Sequence, residues 1–245
     1  IDYPQIEMRV AATLANCKVL LKEINAGADP HADTTRLIYK IPESQPVDKK
    51  LREHVKSGVF GKLYGQQIPS YAKQFGLNTG EAKRIFKLLD DKYPELHQYM
   101  VNTQNTVKAN SPIITPFGRR RVFKMDGDID AVMRQAGNFE IQSTASDICL
   151  QKACEINEQI VSKYKGKVYL INTVHDALYL IIHKDYLIEI LPQVQRIMAD
   201  MSTLPFKMLC PLPVDEVEIG KSWGKMKEYK NIEEVKNEFC NDSIR

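Results

Sequence analysis

The chain has 245 residues, which is enough for one large domain or two modest ones with a sizeable hydrophobic core. Hydrophobic residues make up 43% and charged residues 27%, as in ordinary globular proteins, and a net charge of +3 excludes a surface that is basic overall. Five scattered cysteines without a C-x-x-C pair, no apolar run of membrane-spanning length and no signal peptide predict a protein with reduced thiols in the cytoplasm or another intracellular compartment, neither secreted nor held in a membrane.

Hydrophobic spacing predicts helices through most of the first half of the chain. The opening "IDYPQIEMRVAATLA" is extended and then helical from about Ile6, and both "PHADTTRLIYKI" and "REHVKSGVFGKLYG" (52–65) have helical spacing. The stretch "GEAKRIFKLLDDKYPELHQYMVNTQNTVKA" predicts two helices, because Pro94 breaks the pattern.

The second half combines a long helix with short strands. "STASDICLQKACEINEQIVSKY" (143–164) is the clearest helix, and "LIEILPQVQRIMADM" is another. "KVYLINTVHDALYLIIHKD" predicts a β-hairpin centred on His175, Asp176 and Ala177, and "PVDEVEIGKSW" predicts a further strand. The charged tail from Tyr229 predicts a loosely attached helix. The sequence therefore predicts an α+β fold, with a long helical stretch between pieces of a small antiparallel sheet.

Two aspartates in strand-like settings are candidates for metal binding. Asp176 lies at the centre of the hairpin, where a carboxylate is most often only a turn residue, and Asp2 lies in the opening extended segment, where it would ordinarily be solvated. Two carboxylates brought together from separate strands can, however, hold a pair of Mg²⁺ ions. Such a pair clamps the attacking and leaving oxygens of a phosphoryl transfer.

The adjacent His175 and Asp176 also suit a different class of protein, the HD-type metal-dependent phosphohydrolases. That class needs further histidines on helices. The other histidines, none of which has a helical H-x-x-x-H or H-x-x-E spacing, are His31, His54, His97 and His183. This alternative is therefore the weaker one.

Four residues at every fourth position of the predicted helix 52–65 form a cation–aromatic stripe: Arg52, Lys56, Phe60 and Tyr64. A step of four residues keeps side chains on nearly one face of a helix. The two cations could neutralise a polyphosphate, and an aromatic ring could stack on a base. Glycine in a helix interior costs about 1 kcal/mol of stability relative to alanine, so its presence here needs a reason. Since glycine has no side chain, we expect Gly58, Gly61 and Gly65 to leave this face open to close approach by a ligand.

A second ladder with the same spacing contains guanidinium and amide groups: Arg134, Asn138 and Gln142. Such groups suit hydrogen bonds to nucleic-acid edges and sugars. The basic turn "TPFGRRR" (115–121), which contains Arg119 and Arg120, suits backbone phosphates. Each of these features alone is also typical of a solvated surface.

These features occur together, and in the same order, in the family A DNA polymerases, the bacterial DNA polymerase I type. "DYPQIEMR" near the start, "R-x3-K-x3-F-G-x2-YG" in the middle and "VHDA" late in the chain resemble motifs A, B and C of that family. "TPFGRRR", the ladder and the closing "EIGKSW" fall in the matching order, so the resemblance covers roughly residues 1–224. The three motifs are specific as an ordered set, although none would be so alone.

The resemblance implies template-directed DNA polymerase activity, in which a primer 3′-OH attacks the α-phosphate of a deoxynucleotide. It implies that Asp2 and Asp176 bind two Mg²⁺ ions, with Mn²⁺ as an alternative. It also implies that Lys56 is catalytic, because it would donate a proton to the leaving pyrophosphate. The implied partners are primer–template DNA and dNTPs.

The resemblance implies a set of nucleotide-binding residues as well. Arg52 and Lys56 would bind the phosphates. Phe60 would stack on the incoming base or sugar, and Tyr64 would hold the place next to the templating base. Glu7 matches the steric gate, whose carboxylate crowds a ribose 2′-OH, and Gln5 of motif A belongs to the same substrate-binding set. The implied DNA-binding residues are Arg134, Asn138, Gln142 and His175, with Arg119 and Arg120 on backbone phosphates.

Four positions depart from the family pattern. Ala177 stands where the family usually has Glu in motif C, and Thr173 stands where it often has Gln. Val59 replaces the Asn before the motif B Phe, and Pro4 replaces the Ser of motif A. Both metal-binding carboxylates are present, so we expect activity. Ala177 favours the alternative, a catalytically silent DNA-binding module derived from a polymerase.

The resemblance also implies a domain layout. It places a polymerase palm at 1–10 and 128–229, mainly helical fingers at 11–127, and a tail at 230–245. In the family a thumb and further palm segments precede motif A, which here is the first segment of the sequence. We therefore expect a separate or cleaved N-terminal chain to carry the thumb and the remaining palm, since Asp2 alone would be poorly fixed.

Overall fold

The computed structural model describes residues 1–241, except for the side chains at positions 60, 63, 240 and 241. The chain divides into two compact units. The first unit contains Ile1–Ile6, Ala145–Lys207 and the described chain from Pro211 onward. The second unit contains Glu7–Thr144 and Met208–Cys210.

The elements within the described residues are helices and short antiparallel strands. The helices are α1 (Ile6–Leu14), α2 (Lys18–Asn25), α3 (Pro30–Tyr39), α4 (Lys49–Leu63), α5 (Ile68–Phe75), α6 (Thr79–Lys92), α7 (Pro94–Lys108), α8 (Ile129–Ile156), α9 (Leu187–Ala199) and α10 (Ile232–Asn241). The strands are β1 (Ile113–Ile114), β2 (Arg120–Arg121), β3 (Val168–Val174), β4 (Ala177–Ile182), β5 (Val217–Gly220) and β6 (Met226–Tyr229). Sequential strands pair as hairpins, β1 with β2, β3 with β4 and β5 with β6. This arrangement confirms the predicted α+β fold class.

The first unit is organised around β3 and β4. Their register runs from the pair Val168 and Ile182 to the pair Val174 and Ala177, with a bulge between Leu170 and Asn172. Helices α9 and α10 pack with the β5–β6 hairpin around one apolar cluster. Its buried members are Leu187, Leu191, Val217, Tyr229 and Val235. Helix α9 continues through Pro192.

The second unit is mainly helical, as predicted for residues 11–127. Pro94 separates α6 from α7, because proline lacks the N–H that a continuous helix would need there. The β1–β2 hairpin packs against α7 and α8 through a buried cluster of Val107, Ile113, Phe123 and Ala136. None of the helices between residues 1 and 241 is both long and apolar enough to cross a bilayer.

The long helix of the second half starts earlier than the sequence suggested. It begins at Ile129, not at residue 143, and ends at Ile156, after which the chain makes a π-helical turn over Asn157–Val161. The polar stretch before residue 143 weakened the helical pattern, although it lies within α8. The boundary between the two units falls inside this helix, at residues 144 and 145. The palm and fingers boundaries stay predictions.

The motif B helix α4 ends at Leu63, so Tyr64 lies in the turn that follows and not on the helix. Its glycines are not an open face, which corrects the expectation from the sequence. A Cβ on Gly58 would lie 3.0 Å from the hydroxyl of Tyr71, and a Cβ on Gly61 would clash with the side chain of Gln66. These glycines let neighbouring side chains pack directly on the helix backbone.

The start of α3 is fixed by Asp29. One carboxylate oxygen of Asp29 accepts hydrogen bonds from the N–H groups of His31 and Ala32, at 3.0 and 3.2 Å. The other oxygen accepts a hydrogen bond from Nε of Arg52, at 2.7 Å. His31 itself is fully buried. Burial, with a smaller contribution from the nearby cations, lowers the pKa of His31 from 6.5 to about 4.

The described cysteine side chains agree with the predicted reduced thiols. Those described as free are Cys17, Cys149, Cys154 and Cys210. Burial raises the pKa of the Cys149 thiol to about 11. That thiol is therefore a protonated core group at neutral pH. Cys240 lies outside the described side chains.

The packing of Gly58 predicts that Gly58→Ala destabilises the protein. A helical Gly-to-Ala change usually stabilises by about 1 kcal/mol, but the new methyl would meet the Tyr71 ring at 3.0–3.3 Å. Overpacking of this kind costs about 1–3 kcal/mol, so we expect a net loss of about 1 kcal/mol in the free energy of unfolding, measured with urea. Gly224→Ala, where the added Cβ has no atom within 4 Å, is the matched control. A stabilised Gly58→Ala would contradict the packing described.

The buried His31 predicts acid destabilisation at mildly acidic pH. Its folded pKa of about 4 lies below its ordinary value of 6.5, so the unfolded chain binds the proton first. Its contribution to stability is therefore complete above pH 6.5 and is lost as the pH falls toward 4. The free energy of unfolding, measured with urea across this window, should fall less steeply with decreasing pH in His31→Gln than in wild type, by the equivalent of about one bound proton. An unchanged slope in that variant would rule out His31 as the cause.

Candidate active site

The carboxylates of Asp2 and Asp176 belong to neighbouring backbone segments of the first unit. Asp2 forms an antiparallel bridge with Ala177, the residue after Asp176. Ile1 exchanges two backbone hydrogen bonds with Leu178, at 3.1 and 2.7 Å. The opening segment is therefore paired with β4, and the expectation that Asp2 needs a further chain to hold it firmly stays a prediction.

The β3–β4 hairpin places His175 and Asp176 in its two-residue turn, since Val174 and Ala177 form the last strand pair. His175 has a left-handed backbone with φ of 55°. Tight hairpin turns require this conformation, although it is unfavourable for residues other than glycine. In motif A, Gln5 also has a left-handed backbone, with φ of 57°, just before α1. Non-glycine residues in this region are often found at functional sites.

Electrostatics links the two carboxylates. The pKa of Asp176 is raised, first by partial burial and then by the negative charge of Asp2. The neighbouring His175 and a backbone hydrogen bond oppose this shift. Two carboxylates that repel each other at a partly solvated turn are a suitable pair of oxygen ligands, because a divalent cation would neutralise both. The residues present therefore fit Mg²⁺.

The described residues offer no larger metal centre. Between residues 1 and 241, no group of three or more His, Cys, Asp or Glu side chains is placed to hold a metal ion. The HD-type alternative, which needs such a group, therefore has no support from this structure. Ala177 lies opposite Asp2 across the bridge, a distance of about 5 Å between Cβ atoms in such pairs. Its methyl group adds no third carboxylate there.

The cationic end of the stripe lies in the second unit. Arg52 is held by Asp29 and Lys56 is half-buried one turn further along α4. The positive charges of both residues lower the pKa of His31 and therefore lie near it. Sequence reasoning gave His31 no role. The signal available for it was "DPH", in which an N-cap Asp and a proline at the first helical turn place the histidine at the start of a helix.

The residue after the aromatic end of the stripe, Gly65, lies against the first residue of the ladder. The side chain of Phe60 lies outside the described residues, and the half-buried Tyr64 follows the end of α4. Gly65 has φ of 69°, and a Cβ there would lie 2.6 Å from Cγ of Arg134. The second unit therefore brings the end of motif B and the first residue of the ladder into contact.

The ladder lies on one helix, as its spacing predicted. Arg134, Asn138 and Gln142 all belong to α8. The guanidinium of Arg134 lies 3.7 Å from the carboxylate of Asp128. The side-chain oxygen of Asn138 is buried and has no hydrogen-bond partner among the described residues. A buried polar atom of this kind is costly unless a ligand or water binds it.

The basic turn has one anchored and two exposed arginines. Arg121 stacks over Phe123 and Phe139, 4.4 and 5.7 Å from the ring centroids, and donates to Gln135 at 3.0 Å. It therefore fixes the hairpin to α8. Arg119 and Arg120 are exposed at the hairpin, where the sequence predicted phosphate contacts.

The two units divide the predicted residues between them. The first unit contains Asp2, Gln5, His175 and Asp176, and the second contains Glu7, Arg52, Lys56, Phe60, Tyr64, Arg119, Arg120, Arg134, Asn138 and Gln142. Glu7 is half-buried in the first turn of α1. The roles assigned to these residues stay predictions at this point.

Comparison with known proteins gives a family and a fold. The model of DNA polymerase family A matches residues 1–225. DNA polymerase I of Chloroflexus aurantiacus is 30% identical over 230 residues, which are 92% of this chain and 24% of that protein. DNA polymerase I of Borreliella burgdorferi is 30% identical over 231 residues, 92% of this chain and 25% of that protein.

Among solved structures, one similar structure is the POL domain of Pol1 from M. smegmatis in complex with DNA primer-template and dNTP. It has a TM-score of 0.78 and 24% identity, and the match covers 94% of this chain and 39% of that one. This likeness shows the fold. The chain spans about a quarter of the length of the curated relatives it matches. With a family match over residues 1–225, the chain belongs to the family A DNA polymerases.

Proposed function

We propose that this chain is the catalytic part of a template-directed DNA polymerase, which transfers a deoxynucleotide to a primer 3′-OH. One observation carries the proposal: in a member of this family, the carboxylates of Asp2 and Asp176 come from adjacent segments, and the charge of Asp2 raises the pKa of Asp176. Primer–template DNA and dNTPs are the proposed substrates. These are also the ligands that the M. smegmatis structure contains.

Asp2 and Asp176 would hold two Mg²⁺ ions, for which Mn²⁺ could substitute. Such ions supply charge stabilisation for the attacking and leaving oxygens. The protein's own contribution is to fix both carboxylates on paired backbone, the first by the hydrogen bonds between Ile1 and Leu178, the second at the tight turn after Val174. Precise placement of this kind is what positioning in catalysis requires.

The second unit would bind the nucleotide. Arg52 and Lys56 would neutralise the triphosphate, and Lys56 would donate a proton to the leaving pyrophosphate. The Nε of Arg52 is held by Asp29 at 2.7 Å, and one terminal nitrogen lies 3.7 Å from the carboxylate of Glu53, so a phosphate would compete with Glu53 for this guanidinium. Phe60 would stack on the base or sugar, and Tyr64 would lie beside the templating base.

The proposed DNA contacts come from both units. Arg134, Asn138, Gln142 and His175 would contact the primer terminus, the template or the minor groove. The buried oxygen of Asn138, which has no partner among residues 1–241, supports such a role. Arg119 and Arg120 would contact backbone phosphates.

A second candidate function is a catalytically silent DNA-binding module. Ala177, which provides no third carboxylate beside Asp2, favours it. Primer extension with Mg²⁺ or Mn²⁺ separates the two candidates. Because the matched relatives are about four times longer, we propose that a thumb and further palm segments, in a longer polypeptide or a separate chain, take part. The assay therefore uses the protein with those segments present.

The carboxylate pair predicts that Asp176→Ala abolishes extension while DNA binding is retained. Removing a ligand that stabilises the transition state by several kcal/mol should lower the rate by about 10³-fold. Asp185→Ala removes an exposed carboxylate from the same unit and should extend normally. Extension rates and DNA affinity by fluorescence anisotropy would be measured together. Persistent extension by Asp176→Ala would refute the metal assignment.

The steric-gate assignment predicts that Glu7→Ala incorporates ribonucleotides more readily. Loss of a carboxylate that crowds the 2′-OH should raise the ratio of ribonucleotide to deoxynucleotide kcat/KM by about tenfold or more. Glu43→Ala, which removes an exposed glutamate elsewhere in the second unit, should leave the ratio unchanged. Single-nucleotide incorporation assays measure this ratio. Equal ratios in wild type and Glu7→Ala would remove Glu7 from the nucleotide site.

A further inference from the structure

Tyr3, the residue after Asp2, is anchored in the interior of the first unit. Only 1% of its surface is exposed. Its hydroxyl donates a hydrogen bond to the carbonyl oxygen of Met198, at 2.8 Å. Since Asp2 and Tyr3 share a peptide bond, the place of this ring restrains the backbone that carries the Asp2 carboxylate.

Met198 lies in the last turn of α9, where backbone carbonyls need partners outside the helix. The N–H of Asp200 donates hydrogen bonds to the carbonyls of Arg196 and Ile197, and the hydroxyl of Tyr3 donates one to the carbonyl of Met198. The end of α9 and the opening segment are therefore joined by a buried hydrogen bond. Moving one displaces the other.

The turn after α9 is in turn fixed to α8 by a buried lysine. Lys152 has no exposed surface. Its ammonium donates to the hydroxyl of Thr203 at 2.7 Å and to the carboxylate of Glu155 at 2.8 Å. The Thr203 hydroxyl also donates to Glu155, at 2.6 Å. Gln151 donates to the carbonyl of Thr203 at 2.8 Å and completes this cluster.

A buried ammonium is expensive unless it is paired and hydrogen-bonded, and replacing a buried ion pair by apolar residues is often neutral for stability. Stability alone therefore gives little reason for this cluster. The cluster contributes positional specificity instead, because its hydrogen bonds hold the turn at Thr203 in one place on α8.

Tyr3 and the cluster are close enough to interact. Burial raises the pKa of the Tyr3 hydroxyl, and the negative charge of Glu155 contributes in the same direction. The hydroxyl donates to a carbonyl oxygen, which only its protonated form can do.

We propose that Tyr3 is a positioning residue for Asp2, held by the Lys152–Glu155–Thr203 cluster through the last turn of α9. The path runs from α8 to Thr203 through hydrogen bonds, along the backbone of residues 199–202 to Met198, and through a hydrogen bond to Tyr3, which adjoins Asp2. This inference rests on the proposed function, because it concerns the position of the Asp2 carboxylate, which would bind the metal ions.

The variant Tyr3→Phe tests this directly, since it removes the hydroxyl and keeps the buried ring. The matched control is Tyr164→Phe, which removes a tyrosine hydroxyl that donates to Glu189 at 2.5 Å in the same unit, away from motif A. Three quantities are measured for each protein, with the thumb-bearing segments present. They are the dissociation constant for Mn²⁺, by electron paramagnetic resonance, and the kcat and KM for a dNTP in primer extension.

We expect Tyr3→Phe to weaken Mn²⁺ binding by about fivefold and to lower kcat by about tenfold, because small displacements of a catalytic group have effects of this size. The KM for the dNTP should change by less than about twofold, since the phosphate-binding residues are untouched. Extra Mn²⁺ should restore part of the lost rate. A merely structural role would lower the unfolding temperature and leave Mn²⁺ affinity unchanged.

The double variant Lys152→Met/Glu155→Gln keeps the volume of the cluster and removes its charges, and it should shift Mn²⁺ affinity and kcat in the same direction. Unchanged Mn²⁺ affinity and kcat in Tyr3→Phe, with an active wild type, would overturn the inference and leave the proposed function intact. A wild type that neither extends primers nor binds Mn²⁺ would contradict the proposed function, and the inference with it.

Discussion

The pairing of the opening segment with β4 is the contact on which the candidate active site depends. It joins residues 177 positions apart in the chain, Ile1 and Leu178, through two backbone hydrogen bonds. Because side chains alternate along paired strands, this register fixes where Asp2 stands relative to the hairpin turn. A slip of one residue would turn the carboxylate to the other face. The repulsion between Asp2 and Asp176 is thus built in by backbone pairing.

The phosphate-binding half of the proposal depends on a weaker contact. The ion pair between Arg52 and Asp29 is 28% and 42% exposed at its two side chains, and such pairs contribute little net stability. Asp29 is also the N-cap of α3, so its carboxylate is already held in place by the helix when it orients the Arg52 guanidinium. A contact that orients an arginine without binding it tightly leaves it able to receive a polyanion.

The sequence predicted what depends on local pattern, and missed what depends on distant partners. The break at Pro94 and the hairpin turn at His175 follow from residue types alone. The role of Gly58 could not be foreseen, because the Tyr71 ring that fills its place comes from another helix. The start of α8 was missed since its first half carries polar residues. Nothing in the sequence indicated that Lys152 is buried, because its partner Thr203 is distant in sequence.

The free-energy cost of holding the two carboxylates close together helps to distinguish an active polymerase from a catalytically silent module. Holding Asp176 partly buried near the charge of Asp2 raises its pKa, which means that the ionised pair is disfavoured in the folded protein. The left-handed backbone at His175 adds a further unfavourable term at the same turn. A module that only bound DNA would gain nothing from either feature, since negative charge repels phosphates. A divalent cation bound by both carboxylates would offset the repulsion between them, and for that reason we propose catalysis even with alanine at position 177.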